Sequence, residues 1–116
     1  MSQHPSDPLP GDALVVRGGT NTPKLVEKGR ATHPCGVSGV SVECADGVTL
    51  EQLCKSKAIP HGQVGVTRVR DVRALGGDVI RTDGKSPNHA TLTGLTADEI
   101  SGLFNPTVPN PARGTG

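Results

Sequence analysis

The chain has no tryptophan, no tyrosine and one phenylalanine, Phe104, in 116 residues. A core without aromatics must be assembled from Val, Leu, Ala and Ile, each adding about 1.5–3 kcal/mol when fully buried, so modest stability is expected. The same absence removes the stacking platform that single-stranded nucleic acid needs. Net charge is nearly absent as well, +1 from 12 basic and 11 acidic residues, which excludes a strongly basic DNA binder. Long apolar runs are missing. The longest, Ala13 to Val16, falls far short of the roughly 20 residues a membrane span needs. Met1 to Pro10 has no apolar h-region, and three cysteines, Cys35, Cys44 and Cys54, cannot all pair within one chain. The expectation is a cytoplasmic protein with reduced thiols and no membrane contact.

Cofactor fingerprints are lacking too. His33, Cys35, Cys44, Cys54 and His61 offer ligand atoms for zinc, but their intervals are irregular and no Cys-x-x-Cys pair exists, so no metal is expected. Gly-x-Gly-x-x-Gly does not occur, and Gly84-Lys85-Ser86 has Val79 where a P-loop requires glycine. No cofactor is expected. Arg68, Arg70, Arg73, Arg81 and Lys85 concentrate positive charge, but Asp71, Asp78 and Asp83 offset most of it.

Glycine and proline are plentiful, at 16 and 10. Proline-rich, weakly apolar composition marks residues 1–12 as a flexible arm and residues 105–116 as an extended tail, leaving one domain over 13–104. Within it, ALVVR (Ala13 to Arg17) is β-branched and stops at Gly18-Gly19. Thr22-Pro23 supplies an N-cap and an N1 proline for a short helix ending at Gly29. GVSVE (Gly39 to Glu43), QVGVT (Gln63 to Thr67) and HATLT (His89 to Thr93) alternate with period two, and DVIRT (Asp78 to Thr82) also reads as a strand. Thr49 and Thr96 open capping boxes, and Val69, Val72 and Leu75 recur at helical spacing before Gly76-Gly77. The order β-α-β-α-β-α-β-β-α predicts an α+β fold: a small mixed or mainly antiparallel sheet of about five short strands with short helices on one face.

On such a sheet, Ser41, Glu43, Gln63, Thr67, His89, Thr91 and Thr93 share a polar face that the helices leave bare. Ser41 and His89 are the candidate catalytic residues, with Asn88 beside His89. The alternative role for His89 is local, a hydrogen-bonded ring that fixes the Asp83 to Asn88 loop. Arg17, Gly18, Gly19 and Asn88 are the candidate substrate-binding residues; at Arg17 a guanidinium next to two glycines lets main-chain amides approach an anion. The alternative there is a surface arginine before a tight turn.

VVRGG (Val15 to Gly19), GVSVE, GQVGVT (Gly62 to Thr67), VRALGGDVI (Val72 to Ile80), NHATLTGLT (Asn88 to Thr96) and LFNPTVPNP (Leu103 to Pro111) together resemble a recurrent small bacterial domain. That resemblance implies a shared fold and no particular reaction. More loosely, the order Arg17, Ser41, His89 is similar to that of ADP-ribosyltransferase-type enzymes. The similarity implies Arg17 on the pyrophosphate of NAD, Ser41 orienting the ribose and His89 in the place of a glutamate, although no strand carries a Glu-x-Glu pair. Without a strong active-site motif, the expected function is protein binding, as an accessory or neutralising component of a toxin, defence or secretion-associated system. The alternative is an enzyme acting on a nucleotide or RNA through Arg17 and His89.

Overall fold

The computed structural model describes residues 9–112 apart from 33, 35, 58, 83 and 85. The fold is α+β. Its elements run β1 (Leu14–Gly18), α1 (Pro23–Gly29), β2 (Ala31–Thr32), β3 (Ser38–Ala45), α2 (Leu50–Lys57), β4 (Gln63–Arg68), α3 (Val69–Ala74), β5 (Asp78–Arg81), β6 (His89–Thr93), α4 (Ala97–Phe104) and β7 (Val108–Pro109). Every ladder is antiparallel, in the order β5-β6-β3-β1-β4-β7, with β2 also on β3. The five strands expected from the sequence are β1, β3, β4, β5 and β6. Two more, β2 and β7, span two residues each, too few for a period to show.

Local chemistry sets the helix starts. Thr22 accepts from Leu25 N, with proline in the first turn of α1. At α4 the box is reciprocal: Thr96 Oγ1 accepts from Glu99 N at 3.2 Å, and Glu99 Oε1 accepts from Thr96 N at 2.9 Å. Thr96→Ala is therefore expected to cost about 1 kcal/mol, read as a lowered urea midpoint with an unchanged slope.

Helices cover both faces, which corrects the expected single-sided cover. Val15, Val42, Cys44, Val79, Ala90 and Leu92 pack on one face under Val26 of α1, Val69 and Val72 of α3, and Ile100 and Phe104 of α4. On the opposite face Val16, Ala45 and Val64 pack against Leu53 and Cys54 of α2 and against Ile59. The reason lies in β1. Ala13 to Val16 is apolar at every position, so it has an apolar surface on each side, and burying only one would leave Val16 in water.

The two ends join the fold more closely than the composition suggests. Leu9 is buried in the first core, and Gly11 O accepts from Arg70 N at 3.0 Å. After α4 the chain returns along β4, where Val108 pairs with Val64. Asn110 is buried and donates through Nδ2 to the carbonyls of Ile59 and His61 at 3.1 and 3.0 Å. The outer parts of both segments, residues 1–8 and 113–116, lie outside the described residues. Among the described residues no helix is long and apolar enough to cross a membrane.

Cys44 and Cys54 are free and buried, while Cys35 falls outside the described residues. Burial pushes the Cys44 thiol up from 9.0 to about 11, against the opposing pull of Arg81 and Arg73. Between those values the unfolded thiol ionises while the folded one keeps its proton, so stability falls as pH rises from about 9 to 11. Chemical denaturation across that range is expected to show a loss on the order of 2–3 kcal/mol, and Cys44→Ala is expected to flatten it.

Candidate functional site

β1 ends at Gly18, and the chain turns through Gly19, Thr20 and Asn21 into α1. The turn is held from inside. Asn21, fully buried and with a left-handed φ of 53°, donates through Nδ2 to the carbonyls of Arg17 and Gly19 at 3.0 and 2.9 Å. Its own carbonyl accepts from Asn105 Nδ2 at 3.0 Å, which ties the turn to the end of α4. Asparagine tolerates this backbone because its amide satisfies the turn carbonyls.

Beside the turn lies a cleft of about 550 Å³, whose lining includes Arg17, Gly18, Gly19, Thr20, His61 and Gln63. Arg17 is opposite Gly65 in the β1–β4 ladder, on the face that α1 covers, and its Nη2 lies against Gly29. Nη1 donates to Asn21 Oδ1 at 2.7 Å. Among the described residues no carboxylate pairs with this guanidinium, and burial alone lowers its pKa. A half-buried cation with donors to spare, next to a cavity, has the chemistry to accept an anion.

His61 forms the cleft's other wall. It lies over Gly18 so closely that a Cβ there would collide with its ring and with Ile59. Two adjoining residues thus have coupled roles: glycine at 18 makes room, and the imidazole fills it.

His89 is placed differently from the expectation of a bare polar face. It does share a face with Ser41, since Ser41 is opposite Thr91 and Glu43 is opposite His89 in the β3–β6 ladder. That face is covered here by the loop between β5 and β6. Gly84 sits against the His89 ring, where any side chain on Gly84 would collide with it. His89 N donates to Ser86 O at 3.1 Å, and Thr82 Oγ1 lies 2.9 Å from His89 Nδ1 and 3.0 Å from Thr91 Oγ1. His89 is 8% exposed and Glu43 2%, so the ring anchors a loop and presents little surface to a substrate. Asn88, in that loop, accepts from Cys44 N through its carbonyl at 2.8 Å. His89→Ala is expected to lower stability by about 1–3 kcal/mol and to raise amide exchange over Thr82–Asn88.

Arg17, Gly18 and Gly19 are therefore brought together at one cleft, whereas Arg17 and His89 lie on opposite faces of the sheet. Ser41 lines an adjoining cavity of about 220 Å³ together with Arg17, Gly18, Glu43 and His61, so the structure does bring Ser41 beside Arg17 and Gly18. His61 and Asn21 are the site residues that reading the sequence missed. His61 follows Pro60 just before an alternating strand, a position that carries no motif, and its place over Gly18 depends on β1 and β4 being neighbours. Among the described residues no group of three or more His, Cys, Asp or Glu is placed to hold a metal ion. No family model, no curated protein and no solved structure matches the chain.

Proposed function

We propose that this is a protein-binding domain that holds a carboxylate of its partner on Arg17. The observation that carries this reading is the half-buried guanidinium, lining a cleft of about 550 Å³ with no acidic partner among the described residues. A charge kept out of water and left uncompensated raises the free energy of the unbound protein, and an arriving carboxylate removes that penalty through a forked pair of hydrogen bonds. Leu25, 44% exposed on the rim, adds apolar surface of the kind a protein partner covers. A nucleotide or RNA finds less here, because Phe104, the only Phe, Tyr or Trp of the chain, is fully buried, which leaves His61 as the one ring at the cleft. Against the enzymatic alternative stands the placement of the Arg17 and His89 side chains on opposite faces of the sheet.

The test is recovery of a partner at native expression with the wild-type chain and with Arg17→Gln. The reading expects a co-purifying protein whose recovery falls at least about tenfold in the variant. An identical set of proteins with both chains, or none with either, overturns it.

A further inference from the structure

The flank of β3 that faces β1 is interrupted. β2 pairs with it at Ser38 and Gly39, and β1 pairs with it from Glu43 to Ala45. Beyond Val16↔Glu43 this ladder stops, although β1 continues against β4 as far as Gly18↔Val64. Antiparallel pairing sends the N–H and C=O of successive residues to alternate sides. Cys44 N bonds Asn88 O on the β6 side, so Val42 turns its main chain the same way, and Ser41 turns toward the gap.

That gap is hollow. The cavity of about 220 Å³ lined by Gly18, Ser41, Glu43 and His61 borders it, and another of about 210 Å³ lies beside Ser41, lined also by Gly39, Thr32 and Thr91. The two cavities meet at Ser41, and the first shares Arg17, Gly18 and His61 with the Arg17 cleft. Among the described residues Ser41 Oγ makes no hydrogen bond, and neither β1 nor β2 pairs with Ser41 along this flank.

We infer that the carboxylate on Arg17 is the carboxy terminus of the partner's chain, whose last residues run extended past His61 and pair main chain to main chain with Ser41. This rests on Arg17 as the carboxylate seat and adds the identity of the group that occupies it. A chain end explains why an anion site and an unfilled rung of a sheet adjoin: strand addition supplies hydrogen bonds that any sequence can make, and the terminal charge sets the register. A carboxylate on an internal side chain would have no use for the open rung at Ser41.

The test uses random-sequence hexapeptide pools passed over the immobilised protein and read by mass spectrometry. One pool carries a free carboxy terminus, a second is amidated there, and a third has a free terminus and an N-methylated penultimate amide. Retention of the free-acid pool at least tenfold above both others, lost in Arg17→Gln, supports the proposal. Equal retention of acidic members of the amidated pool overturns the chain-end assignment while leaving Arg17 as a carboxylate seat. Equal retention of the N-methylated pool overturns the pairing with Ser41. No Arg17-dependent retention of any pool overturns the proposal outright, and partner recovery with Arg17→Gln then decides the carboxylate reading separately.

Discussion

Phe104→Ala is expected to cost about 3–5 kcal/mol, a large loss of stability for a single truncation. The side chain is fully buried between α4 and the sheet, and its Cβ lies so near Gly65 that a methyl group on that glycine would collide with it. Because the rest of this core consists of smaller aliphatic side chains around Val15, Val40 and Leu92, little nearby can expand into the space that truncation leaves. Against a typical total of about 5–15 kcal/mol, such a loss leaves the domain marginal. Urea denaturation followed by far-ultraviolet circular dichroism checks it. A shift corresponding to less than about 1 kcal/mol would mean that the core relaxes around the hole. Gly65→Ala approaches the same contact from the other side and is expected to destabilise as well, since the added Cβ also meets Asn21 Nδ2 at 2.9 Å.

Arg17→Gln is expected to separate stability from binding. Removing a half-buried cation that no carboxylate neutralises relieves a desolvation penalty, so the variant should unfold at the same denaturant concentration as the wild type or a higher one. Binding should behave in the opposite way. Loss of a charge-assisted, forked interaction costs about 2–4 kcal/mol, or roughly thirtyfold to a thousandfold in affinity for a carboxylate-bearing partner. Arg17→Lys should rescue little, because a single ammonium cannot make two parallel bonds and Asn21 Oδ1 is positioned for the guanidinium at 2.7 Å. Calorimetric titration alongside denaturation of all three proteins is the measurement. A variant that loses stability and affinity together would make Arg17 a structural residue of the α1 turn.

Much of this architecture is legible in the residues themselves. The alternation in GVSVE, QVGVT and HATLT places Val40, Val42, Val64, Ala90 and Leu92 in the two cores. The capping signals at Thr22, Thr49 and Thr96 each begin a helix. Arg17-Gly18-Gly19 contributes to a cleft, as a guanidinium beside two small residues suggests. Less visible was the second apolar side of β1, where four successive apolar residues signal burial on both faces more strongly than membership of a one-sided sheet.

What the sequence determined by itself is local: which segments become strands and helices, where they stop, and which side chains of each strand go inward, because these follow from periodicity and turn chemistry within a few residues. Strand neighbours were decided by the tertiary structure. Pairing β1 with β4 is what lays His61 over Gly18, and ending the β1–β3 ladder at Val16 is what opens the cavity at Ser41. Of the two roles open to His89 in the sequence, the fold adopts the local one, since Gly84 and Ser86, five and three residues before it, close over the ring. Contacts such as His61 over Gly18 form between segments tens of residues apart, where packing of the whole core, and not any local preference, selects the partner.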